Sequence, residues 1–82
     1  MEQAQGISAR PLERILRRPE VERATGLARS TLYDLMAASK FPKPVALSGG
    51  AVGWIESEVA AWQAARIAAR DGAALNQLWK VA

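Results

Sequence analysis

At 82 residues, with half of them apolar, the chain can bury one modest core and has little room for an enclosed active site. It carries a net charge of +3 and contains neither cysteine nor histidine, which excludes disulfides, removes the usual zinc ligands and takes away the commonest nucleophile and base pairings. No apolar run approaches the roughly 20 residues that span a bilayer, and the first thirteen residues lack a secretory pattern, so the expected compartment is the cytoplasm.

Residues 1–13 mix Gln, Gly, Ser and Pro without periodicity and read as a flexible N-terminal segment. Arg14 to Arg18 follows, with Ile15 and Leu16 able to pack as a short extended piece while the arginines stay in water. Pro19 suits the first position of a helix, and Glu20 and Glu22 suit the positive end of its dipole, so the first helix is expected from about Pro19 to Thr25. Gly26 can take the positive φ that closes it.

A second helix is expected over about Ala28 to Ala38. Alanine at its N-cap lacks a side-chain acceptor, a cost of about 0.5–2 kcal/mol relative to serine, unless Ser30 or Thr31 caps a start shifted inward. Val21 with Ala24, then Leu32 with Leu35 and Met36, form two apolar clusters about the Thr25-Gly26-Leu27 break, which is a helix-turn-helix pattern. Turning the second cluster inward leaves Ser30, Asp34 and Ala37 outward with Arg29 and Tyr33 on the flanks, a small polar face suited to a DNA major groove. Pro42 and Pro44 then force residues 41–44 into an extended path.

Gly49-Gly50 reads as the two-residue loop of a β-hairpin over residues 44–54. In that register Ser48 faces Ala51, Leu47 faces Val52, Ala46 faces Gly53 and Val45 faces Trp54, so four large apolar residues share one face. A phosphate cradle is the competing reading of the glycines, but the lysine and hydroxyl of a P-loop are missing. A third helix is expected from about Glu56 to Arg70, with Val59 and Trp62 inward and Asp71-Gly72 stopping it. Residues 71–82 form an amphipathic C-terminal tail in which Leu75, Leu78, Trp79 and Ala82 make one helical face. It either folds back over the core or pairs with another chain.

Charge is distributed unevenly. Arg14, Arg17, Arg18, Arg23, Arg29, Lys40 and Lys43 stand against Glu20, Glu22 and Asp34, whereas the chain beyond Ile55 is balanced, so the positive field surrounds the helix-turn-helix and suits a polyanion.

Taken in order, RILRRPEVERATGLARSTLYDLM, FPKPV with its short hairpin, and VGWIESEVAAW resemble the AlpA family of small phage and prophage transcriptional regulators. That family is related to phage excisionases and to winged DNA-binding domains of the MerR type. The resemblance covers about Arg14 to Arg70 and implies a mainly α fold with a small β-hairpin: a winged helix-turn-helix of three helices plus a short C-terminal helix, with residues 14–70 as the DNA-binding domain. It implies double-stranded DNA as partner, a homodimer or a recombinase or transcription protein beside it, no cofactor and no catalysis.

Carried onto this sequence, the matching STLY block makes Arg29, Ser30, Thr31 and Tyr33 the main DNA contacts, with Lys40, Lys43 and Arg18 as backbone anchors. Ser48, Gly49 and Gly50 are the wing contacts. Two positions depart from the family: Asp34 stands where a basic residue is common, and the wing tip lacks the arginine often found there. These departures leave room for two other readings, an excisionase-like DNA-bending factor and a protein-interaction adaptor docking through Leu75, Leu78 and Trp79.

Overall fold

A computed structural model of the chain describes residues 11–76. The elements are β1 (Ile15–Leu16), α1 (Arg18–Thr25), α2 (Arg29–Ala37), β2 (Val45–Ala46), β3 (Val52–Ile55) and α3 (Glu56–Asn76). The strands form one antiparallel sheet in the order β1-β3-β2. This is the expected mainly α winged helix-turn-helix, with the short extended piece before Pro19 serving as an edge strand. Most of residues 1–13, together with Leu78, Trp79 and Ala82 of the tail, lie outside the described residues.

Local chemistry accounts for α1. The Glu20 carboxylate accepts the Arg17 backbone N–H at 2.9 Å, satisfying a donor that the helix itself leaves unpaired. That bond, reinforced by Arg14 and then Arg23, holds the Glu20 carboxyl below the usual range. At the other end Gly26 adopts φ +76° and its N–H meets the Glu22 carbonyl at 2.8 Å. The Thr25 hydroxyl donates to the Val21 carbonyl and accepts from the Leu27 N–H, which sets the turn into the next helix.

Helix α2 begins at Arg29 with Ala28 as its N-cap and no side-chain cap, so neither Ser30 nor Thr31 moves the start inward. Tertiary burial offsets the missing cap: Leu32 and Met36 enter the core and Leu35 packs against it. Val21 from α1, Leu16 from β1, Phe41, Trp54 from β3 and Val59 from α3 complete the same cluster. The helix ends in a Schellman arrangement, with the Ser39 N–H on the Met36 carbonyl at 3.0 Å and the Lys40 N–H on the Leu35 carbonyl at 2.7 Å. Ser39 occupies the left-handed position at φ +59°, where glycine is usual.

The hairpin departs from its expected register. Its turn is the one foreseen, since Gly49 and Gly50 both take positive φ and the Ala51 N–H returns to the Ser48 carbonyl at 3.1 Å. But the Leu47 N–H also meets Ala51, at its carbonyl, so Leu47 and Ser48 oppose one residue, and the pairs become Val45 with Gly53 and Ala46 with Val52. This bulge slips the register by one and flips β2. Val52 and Trp54 face the core, while Val45 shares the opposite face with Gly53 and Leu47 is 43% exposed. On that opposite face β1 closes over Gly53, where a side chain would collide with the Ile15 Cγ2, and Leu47 lies beside the same position.

Helix α3 also departs from expectation, because Asp71-Gly72 does not end it. Gly72 stays out of the positive-φ region, no proline follows, and the alanine-rich sequence on both sides supplies helix propensity against the roughly 1 kcal/mol that an interior glycine costs. Arg70 meets the Asp71 carboxylate at 2.7 and 2.9 Å. The helix is tied to the domain near its start, by the Glu56 N–H on the Arg14 carbonyl, the Ser57 hydroxyl on Glu13, and the Gln63 amide on the Ala24 carbonyl. From Ala64 to Gly72 every residue is exposed. The Leu75 backbone therefore stands about 18 Å along the axis beyond Gln63, at about 1.5 Å per residue. Through Asn76 the helix is continuous, with no break into a separate short helix at Asp71-Gly72.

Candidate nucleic-acid interface

Helix α2 presents one face to solvent because Leu32, Leu35 and Met36 occupy the other. On the open side Arg29, Ser30, Thr31, Asp34 and Ala37 are exposed, and Tyr33 is 40% exposed. Arg29 and Tyr33 are four residues apart, one helical turn, which brings the guanidinium carbon to 5.9 Å from the phenol ring centre. Three hydroxyls, one guanidinium and one carboxylate thus lie within nine residues of rigid helix, a set able to meet base edges and phosphate oxygens. Asp34 pairs with neither Arg29 nor Arg23 among the described residues, so its charge is displayed with the rest.

The structure sorts the basic residues that the sequence could only count. Arg14 bridges Glu20 at 3.5 Å and Glu56 at 3.7 Å, and Arg18 meets Glu22 at 3.0 Å. The Arg17 Nε donates to the Val52 carbonyl at 3.0 Å, tying the start of α1 to the wing strand. With the two glutamates of α1 thus compensated, Arg23, Arg29, Lys40 and Lys43 form no ion pair among the described residues, and the last three lie on or just beyond α2. Arg18 stands apart from the other expected anchors because its guanidinium is already engaged.

The wing is uncharged from Pro44 to Ile55. Ser48, Gly49 and Gly50 are exposed at its tip and present backbone and one hydroxyl. Among the described residues no group of carboxylates is placed to hold a metal ion, and no helix is long and apolar enough to cross a membrane.

Sequence reasoning missed how the linker between α2 and the wing is held. The Trp62 indole N–H donates to the Lys40 carbonyl at 2.8 Å, and the Trp54 indole N–H donates to the Pro42 carbonyl at 3.0 Å. Between them Phe41 is buried and meets Trp62 edge to face at 4.9 Å. The two prolines signalled an extended path, but no local pattern tells which carbonyl a distant indole will reach.

The family model described as prophage CP4-57 regulatory protein (AlpA) matches residues 14–67. An uncharacterized protein of Enterobacteria phage P4, ORF88, is 53% identical over 58 residues, which are 71% of this chain and 66% of the phage protein. The DNA-binding transcriptional activator AlpA of Escherichia coli strain K12 is 42% identical over 59 residues, 65% of this chain and 84% of that protein.

Proposed function

This chain belongs to the AlpA family of prophage regulatory proteins, and from that premise we propose that it is a sequence-specific, non-catalytic DNA-binding transcriptional regulator of phage type. Residues 14–70 act as the DNA-binding domain and α2 enters the major groove. The observation that carries this reading is the polar face of α2 lying among cations without acidic partners, Arg29, Lys40 and Lys43, while the glutamates of α1 are compensated by Arg14 and Arg18.

Arg29 makes a bidentate contact to guanine or grips phosphate, Ser30 and Thr31 address base edges or backbone, and Tyr33 offers its hydroxyl to a phosphate oxygen. Lys40 and Lys43 anchor the backbone. The wing, lacking charge, contributes through backbone N–H groups at Gly49 and Gly50. The projecting half of α3, exposed from Ala64 to Gly72, favours a protein partner over self-cover for the tail.

Selection of bound duplexes from a random library, followed by titration at several salt concentrations, tests the proposal. Binding weakens steeply with salt, and Lys43→Ala lowers the salt slope by roughly 1 while keeping the preferred sequence. Paired inverted sites indicate a dimer, and a phased array of weak sites indicates an architectural factor. Folded protein that binds no duplex at low salt overturns the reading in favour of the adaptor.

A further inference from the structure

The geometry points to Trp62 and Trp54 as positioning residues for DNA binding: from inside the domain they hold the linker that carries Lys40 and Lys43. The inference rests on the reading of this chain as a DNA-binding protein. The Lys40 backbone is fixed at both ends. Its N–H caps α2 through the Leu35 carbonyl at 2.7 Å, and its carbonyl receives the Trp62 indole at 2.8 Å, so this one residue rivets the recognition helix to α3 while its side chain remains exposed. Phe41 is pinned next, its ring buried against Trp62, and Pro42 follows with its carbonyl on the Trp54 indole at 3.0 Å. Lys43 then sits between two prolines, each with φ fixed by its ring, and Pro44 further restricts its backbone.

A surface linker of alternating lysine and proline would ordinarily lose conformational entropy when it docks on a polyanion. Here that ordering is already present in the free protein. The two lysines are three residues apart with a bend at Phe41 between them, so their backbones stand no more than about 10 Å apart, the span of three fully extended residues. Ser39 in the left-handed region fits the same picture, because the sharp exit from α2 is what brings the Lys40 carbonyl to Trp62.

Trp62→Phe removes the indole donor and keeps an aromatic ring against Phe41. Duplex affinity is expected to fall roughly 3- to 10-fold for every sequence, the equivalent of one net hydrogen bond, with base preference unchanged. The loss should be non-additive with Lys40→Ala, since both act through one contact. Should Trp62→Phe fold poorly, Pro44→Gly frees Lys43 without touching the core and should weaken binding in the same sequence-independent way. A Trp62→Phe chain that melts lower yet binds as wild type below its melting temperature, or losses that add fully with Lys40→Ala, overturn the positioning role, as does unchanged binding by Pro44→Gly. A wild-type chain that binds no duplex removes the proposed function itself, and the positioning role with it.

Discussion

Helix α2 and the wing leave the same core, yet they are anchored and charged in opposite ways. Helix α2 is seated by Leu32, which is fully buried, and by Met36, and the linker at its end is held by two indoles. The wing joins the core through Val52 and Trp54 on β3, while β2, flipped by the bulge, turns Val45 away. Arg29 opens the first and Lys40 and Lys43 follow its end, whereas no charge lies between Pro44 and Ile55 on the second. A winged helix-turn-helix need not divide its grip evenly. On the proposed reading the electrostatic and base-reading work falls to the helix side, and the wing contributes backbone.

The strongest test of the helix side is its seat. Leu32→Ala should cost about 2–5 kcal/mol in urea unfolding, because it removes a fully buried side chain where the facing residues come from four other elements. A variant as stable as wild type would mean that α2 is not held as described. Next in size, Arg29→Ala should lose about 1–3 kcal/mol of discrimination at one base pair if the guanidinium reads guanine, and should weaken all sequences alike if it holds phosphate. Competition against single-base variants separates the two, and full retention of affinity and selectivity would remove α2 from the groove.

At the end of the helix, Ser39→Gly should raise stability by about 0.5–1 kcal/mol, since glycine occupies φ +59° without the Cβ clash that serine bears there. Thermal melts would show it, and a lower melting temperature would contradict the Schellman assignment. Acid titration examines the other helix of the pair. Glu20 has its folded pKa below the ordinary carboxylate value, so its contribution is complete above that value and is lost as pH falls through the folded one. Glu20→Gln should therefore melt below wild type at neutral pH, and the gap should close in acid; a gap that persists unchanged would show that the carboxylate is not the source. Smallest of all, Ser48→Ala at the wing tip should change both stability and duplex affinity by no more than about 0.5 kcal/mol. A larger loss of affinity would restore the wing as a reader and undo the contrast.

Much of this was legible locally. Gly26, Pro19 and the spacing of Leu32, Leu35 and Met36 set the helix-turn-helix before any long-range contact is considered, because caps and apolar periodicity are properties of a few neighbouring residues. The Gly49-Gly50 turn belongs to the same class, as does the polar face with Arg29, Ser30, Thr31 and Tyr33. The family resemblance placed the same segments in the same order.

What only the tertiary structure decided is which partners those segments find. The hairpin register turns on a bulge in which Leu47 and Ser48 both face Ala51, and the glycine turn motif by itself does not contain that information. Arg18 and Lys43 look alike in sequence, but Arg18 faces Glu22 and Lys43 stands without an ion pair among the described residues. The linker carbonyls are claimed by indoles 12 and 22 residues away. Even the passage of α3 through Asp71-Gly72, where the local pattern reads as a stop, turns on a small balance of propensities along the whole helix. Periodicity and capping are short-range and survive in the sequence; register, charge pairing and long-range hydrogen bonds exist only once the chain has closed on itself.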